Sequence, residues 1–271
     1  MTQSANYNLL KEPWGEFALE EDAIRTWSIG PLQLWCRLFS GELWVASKTA
    51  WHGIDEWKEE AIQRDLAPNP PEDAPWTRWA LSRNNPKIRM FPVFPNLPVI
   101  VKPEYSFNLL TNTEAKIYVR VPLWVRIQIA TNPPVMVREV PIVTLSQTWF
   151  GDYTSGELCY WLATTARRKV EPDLFRPFLA VCPIHISNVS DEVLTVEKVC
   201  LRVIYLSLFH YEGQFWSDET RIVHKGKDND TQLEFVGVAP PEAPQAMMMS
   251  GPRIDTRKKY LGKTFASFMD I

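Results

Sequence analysis

Residues Ala115–Ile129 read AKIYVRVPLWVRIQI. Every odd position is apolar: Ala115, Ile117, Val119, Val121, Leu123, Val125, Ile127 and Ile129. Lys116, Arg120, Arg126 and Gln128 hold even positions. A strand points successive side chains to opposite faces, so a period of two gives one oily and one wet face. The run is longer than one ordinary strand. Pro122, in its middle, has no N–H for a ladder, so a bulge or a change of sheet is expected there.

The same signal recurs on both sides of this stretch. Downstream, strands are expected at Val135–Val143, Glu157–Thr164, Ala180–Ile186 and Leu194–Phe209, with turns at TNPP, GDYTSG and SNVSDE between them. Upstream, Leu32, Leu34, Cys36 and Leu38 share one strand face and Gln33, Trp35 and Arg37 the other. Ser40-Gly41 then makes a two-residue hairpin loop into Leu43 and Val45. Two shorter strands flank Glu20-Glu21-Asp22. Asp55–Leu66 reads as a short helix with Ile54, Trp57 and Ala61 on one side, stopped by the proline-rich stretch that follows.

Val199–Phe209 is apolar on both faces, whereas a sandwich strand has one wet face. The expectation is cover from another domain or another subunit. Ala239–Pro252 reads as a linker, too proline-rich for regular structure. Beyond it, Tyr260, Leu261, Thr264, Phe265, Phe268 and Met269 fall at helical spacing. Gly251–Ile271 carries five basic and two acidic side chains, a net +3. This predicts a basic amphipathic helix, docked on its own protein or on a partner through Lys258, Lys259, Leu261, Phe265 and Phe268. A membrane surface is the weaker alternative, because the apolar face is short.

The expected fold is therefore all-β: two packed β-sandwich-like domains, with a short helix in the first and a C-terminal amphipathic helix. The expected boundaries are 12–90, 91–236, and a linker with tail at 237–271.

Composition narrows the function classes. A net charge of −3 gives no basic surface for nucleic acid. The first residues lack a basic segment followed by an apolar one, and no apolar run reaches membrane-helix length. Cys36, Cys159, Cys182 and Cys200 are far apart and sit in strand-like segments, which suits reduced core thiols in the cytoplasm.

Candidate chemistry is sparse. There is no G-x-S-x-G, P-loop or G-x-G-x-x-G. Cys182 with His185, and His210 with Glu212, are poor metal pairs on a strand, so neither metal nor other cofactor is expected. Cys159 with His185 or His210 lacks a nucleophile motif. Ser146–Trp161, SQTWFGDYTSGELCYW, is the densest stretch in turn formers and reactive groups. Its Trp149, Phe150, Asp152 and Glu157 form the candidate binding or acid–base corner. Two carboxylates there would suit glycosidase-type chemistry, but aspartate also caps backbone N–H groups in tight turns. Trp35, Trp44, Trp124 and Trp149 would offer sugars a platform if they projected outward; otherwise they make an interdomain contact.

The motifs VPLWVRI, LSQTWFGDYTSGELCYWLATTA and CPIHISNVSDEVLTVEKVCL resemble an uncharacterised archaeal and bacterial family, a domain of unknown function. The resemblance runs from Trp14 to Gly226 and is densest over Val121–Leu201. It implies no activity, cofactor or catalytic residue. The functional expectation is a non-enzymatic binding or scaffold protein that associates with itself or another protein. A carbohydrate-binding or carbohydrate-active sandwich is the alternative.

Overall fold

The computed structural model describes residues 13–49, 62–64, 69–81, 86–154, 156–170, 176–226, 231–255 and 260–261; for 62–64, 163–165 and 260–261 it describes backbone only. The regular structure of the described residues is almost wholly strand. In order these are β1 (Gly15–Ala18), β2 (Ile24–Ile29), β3 (Leu32–Phe39), β4 (Glu42–Thr49), β5 (Ile62–Arg64), β6 (Thr77–Ala80) and β7 (Lys87–Val93). Next come β8 (Val99–Pro103), β9 (Phe107–Leu109), β10 (Thr113–Pro122), β11 (Trp124–Ile129) and β12 (Val135–Pro141). Then follow β13 (Ser146–Phe150), β14 (Glu157–Ala166), β15 (Leu179–Asn188), β16 (Leu194–Val196) and β17 (Val199–Leu201). The last are β18 (Leu208–Tyr211), β19 (Gln214–Ser217), β20 (Thr220–His224), β21 (Gln232–Phe235), β22 (Met247–Ser250) and β23 (Tyr260–Leu261).

Two compact units result. The first comprises the described residues of Met1–Val93 and Pro122–Thr144, the second those of Phe94–Val121 and Leu145–Ile271. The first unit is thus discontinuous, unlike the continuous partition expected from the sequence. It holds one sheet in the order β1-β7-β11-β12 and another in the order β5-β2-β3-β4-β6. Phe17 on the first sheet meets Trp27 on the second edge-on, ring centroids 5.5 Å apart. Ile29, Leu34, Ile88, Met90, Val125 and Ile127 are also fully buried in these two sheets. Burying large apolar side chains of this kind contributes roughly 1.5–3 kcal/mol each.

The β3–β4 hairpin follows the sequence reading. Phe39 pairs with Glu42 across Ser40 and Gly41, whose φ angles of 51° and 77° make the left-handed turn that matches strand twist.

The second unit has one large sheet in the order β22-β18-β19-β15-β20-β21-β23, with β10 also paired to β15. A second sheet runs β13-β14-β8-β17, and β16 pairs with β9. β15 runs parallel to β19 and β20, and β14 parallel to β8.

The deciding stretch behaves as its pattern requires. β10 belongs to the second unit and β11 pairs with β7 and β12 in the first, so the strand changes sheets at Pro122–Leu123. Ile117, Val119, Val121, Leu123, Val125 and Ile127 are all fully buried, so parity survives the change.

Three expectations are corrected. Asp55–Leu66 is not helical where it is described: Ile62–Arg64 is β5, paired with β2, and the rest lies outside the described residues. Leu194–Phe209 is not one strand but β16, β17, a 3-10 turn at Val203–Tyr205 and the start of β18. Its two-sided apolarity arises because the chain leaves one sheet at Leu201 and enters another at Leu208, turning different faces into the core as it goes.

The third correction concerns the C-terminal region. Within the expected linker, Met247–Ser250 is β22 paired with β18, and Ala243 is buried against Val181, Phe209 and Trp216. Arg253 caps it by donating through Nε and Nη2 to the Phe94 carbonyl at 2.9 and 2.6 Å, and through Nε to that of Pro95 at 3.0 Å. Tyr260–Leu261, expected to begin a helix, is instead the strand β23 on the edge of β21. The remaining tail positions, Lys258, Lys259, Phe265 and Phe268 among them, lie outside the described residues.

Candidate functional site

The stretch 146–161 folds as a hairpin. β13 and β14 pair antiparallel from Ser146 opposite Trp161 to Phe150 opposite Glu157, and 151–156 close the loop. Asp152 shapes that loop: its carbonyl accepts the Gly156 N–H at 2.7 Å and the Trp149 indole N–H at 3.1 Å. Gly151 has φ +97°, a left-handed conformation suited to glycine. Gly156 is required by close approach, since a Cβ there would lie 2.3 Å from Trp149 Nε1 and 2.6 Å from the Asp152 carbonyl.

The four predicted residues separate into two roles. Phe150 is 5% exposed and plugs the cluster of Ile100, Cys159 and Cys200. Trp149 is 45% exposed although its N–H is satisfied, so the indole is held in place with a face to solvent. Tyr153 at the loop tip is 98% exposed, and Leu158, the cross-strand partner of Trp149, is 42% exposed. Asp152 is exposed, whereas Glu157 is half-buried and bonded to the buried Arg202, Nη2 to Oε1 at 2.6 Å. The two acids therefore sit in different surroundings, and Glu157 already has a fixed ion-pair partner.

Histidine does not complete an acid–base set among the described contacts. His185 Nε2 bonds Glu114 at 3.1 Å, and His210 stacks against Phe215 at 5.0 Å, both on the large sheet. Burial holds His210 below the usual imidazole range. Neither histidine is grouped with Cys182 or Glu212 in any metal-capable set among the described residues.

The other candidate tryptophans differ in exposure. Trp35 is fully buried against Ala46 and Ala74, and Trp44 is half-buried between Phe39, Trp76 and the Arg78 guanidinium, which lies 3.9 Å from its ring centre. Trp124 is half-buried on β11.

What the sequence reading missed lies directly behind the hairpin. Cys159 on β14 and Cys200 on β17 are buried with their sulfurs 3.9 Å apart. Glu157, Cys159 and Cys200 place one oxygen and two sulfurs within 4.8 Å of one another. The pair is separated by 41 positions and carries no spacing signature.

A second charged group occupies the large sheet. Lys116 Nζ lies 2.7 Å from both Glu219 and Glu242, Tyr118 donates its hydroxyl to Glu242 at 2.7 Å, and Arg221 bonds Glu219 at 2.9 Å. Burial and the Glu242 carboxylate push the Tyr118 hydroxyl well above its usual range. These groups pair with one another, although Glu242 Oε2 is buried without a hydrogen-bond partner among the described residues, and the cluster reads as structural.

Fold and corner define an all-β protein of two multi-sheet units, with an exposed aromatic hairpin set over a buried dithiol. The chain belongs to the family described as "Protein of unknown function (DUF432)", which matches residues 13–270. The match encloses the whole of the resemblance drawn from the three motifs. No curated protein and no solved structure matches the chain. Among the described residues no helix is long and apolar enough to cross a membrane.

Proposed function

We propose that the protein is a non-enzymatic binding protein that associates with a second copy of itself through the β13–β14 hairpin. The observation that carries this reading is the hairpin's outer face. Trp149, held by its bond to Asp152, stands beside Leu158, with Tyr153 at the tip. A rigid, half-exposed aromatic is the kind of group that dominates binding energy at protein contacts.

The edge itself supports the same reading. β13 is terminal in its sheet among the described residues, and its sequence, SQTWF, has no charge or proline. Natural edge strands are commonly blunted by such residues, and one without them is suited to pairing with another strand. Four free, buried cysteines support action in the reducing cytoplasm.

Native mass spectrometry and sedimentation of the full-length protein test the proposal. The wild type is expected to dimerise at micromolar concentration, and the double variant Trp149→Ala, Leu158→Lys to be monomeric with unchanged thermal unfolding. A wild type that stays monomeric across that range removes the reading.

A second reading has its own observation in the exposed Trp149, Asp152 and Tyr153, which share one loop and offer the aromatic and acidic groups of sugar sites. Binding on a glycan array that is lost in Trp149→Ala would favour it, and an array without hits would discard it.

A further inference from the structure

We propose that Cys159, Cys200 and Glu157 bind a thiophilic divalent cation of the zinc class, with one coordination position left for water. Donor type comes first. Two cysteine sulfurs and a carboxylate oxygen form a ligand set suited to zinc, and three protein ligands leave the fourth tetrahedral position open.

Distance agrees with donor type. A Zn–S bond of about 2.3 Å sets the sulfur–sulfur edge of a tetrahedron at about 3.8 Å. The sulfurs here are 3.9 Å apart. The alternative link, a disulfide, fits the topology poorly. β8 lies between β14 and β17, with Cys200 paired to Ile100 on β8 and Trp161, two positions after Cys159, paired to the same residue from the other side. Two strand spacings amount to roughly 9–10 Å, beyond the ~7 Å between Cα atoms that a disulfide spans. A metal ion adds the missing reach.

Charge balance points to a dication. Two thiolates and the Glu157 carboxylate, offset by the Arg202 guanidinium, leave two negative charges for the ion to neutralise. Arg202, only 4% exposed, also fixes Glu157 by its bond to Oε1. It is a positioning residue for the ligand oxygen. Without metal, Cys159 and Cys200 are free thiols in hydrogen-bond contact. Metal uptake breaks two S–H bonds, forms two metal–sulfur bonds and releases two protons to solvent, so affinity rises with pH.

The test is titration of the reduced full-length protein with Co2+ alone, followed by Zn2+. The expected result is a sulfur-to-cobalt charge-transfer band at one ion per chain, bleached by zinc. Cys159→Ser and Cys200→Ser are expected to abolish the band, and Cys36→Ser and Cys182→Ser to leave it. Glu157→Gln is expected to keep it while weakening affinity about tenfold or more. X-ray absorption of the zinc-loaded wild type gives a readout independent of how the variants fold, with two sulfurs at about 2.3 Å expected. Absence of the band in the wild type, its survival in both Cys159→Ser and Cys200→Ser, or a zinc shell without sulfur would each overturn the proposal.

Discussion

Gly156 carries the tightest contact in the hairpin. An alanine methyl would meet the indole nitrogen of Trp149 and two backbone carbonyls, those of Asp152 and Phe150, at 2.3 to 2.7 Å. Backbone oxygens cannot swing aside as a flexible side chain can, so Gly156→Ala is expected to destabilise the protein by about 1–3 kcal/mol. Chemical denaturation measures that loss.

Asp218 is a different kind of sensitive residue. It is fully buried, with its carboxylate accepting the N–H groups of Ser207 and Gly237 at 2.7 and 2.8 Å. Burial nevertheless pushes it up from 3.8 to about 6. Between those values the folded chain holds a proton that the unfolded chain has lost. The stability this proton supplies is complete below about pH 4 and lost as pH rises through about 6. Asp218→Asn removes the titration. Relative to that variant, the wild type is expected to lose about 3 kcal/mol between pH 4 and 7, read from urea midpoints along a pH series.

At the scale of the element, side-chain amides do work that strand patterns do not reveal. Asn188 ends β15 and lies within a glycosylation-type triplet, yet it is fully buried. Its Nδ2 donates to the carbonyls of Leu109, Leu110 and Glu192, and its Oδ1 accepts from the backbone and hydroxyl of Ser190. One side chain thus locks the 189–192 loop against the end of β9. Asn188→Ala strands those carbonyls and is expected to cost about 2–4 kcal/mol, measured by thermal unfolding. Asn188→Asp should cost more, since a carboxylate would face three carbonyl oxygens.

The same scale shows what the sequence could convey. Alternation in 115–129 is local and survives translation into strands, so the break at Pro122 was legible. The two-sided run 199–209 misled because apolarity on both faces has the same appearance in a strand covered twice and in a chain turning between two sheets. The helical spacing of Tyr260 to Met269 misled at its first two positions, where pairing with β21 decides the conformation, and the other positions lie outside the described residues. In the corner, turn formers marked the loop and the start of the strand at Glu157, but the strand β13 before it was not expected, and Trp149, read like Phe150 as a core anchor, is half exposed. The meeting of Cys159 and Cys200 was hidden because it depends on which strands flank β8, a long-range fact.

For the whole molecule, much of the C-terminal region up to Asp255 is structural. β22, the Ala243 contact and the Arg253 cap all belong to the second unit's core. A chain ending at Val238 loses all three and is expected to be less stable by roughly 3–5 kcal/mol. A chain ending at Asp255 keeps them, so its denaturation midpoint should lie well above that of the shorter chain. Only the longer of the two is suited to asking what the basic tail does.

The discontinuity of the first unit has a consequence for biosynthesis. β7 is central to its sheet, yet its partner β11 is encoded after three strands that belong to the second unit. When Val93 leaves the ribosome, that sheet has only β1 and β7, an exposed apolar pair. It must wait for the polymerisation of about fifty more residues, several seconds at roughly 5–20 residues per second, before 122–144 can close it. The half-built sheet is then the interval in which a nascent chain most needs a chaperone, and a stalled or prematurely terminated product would expose the first unit before the second.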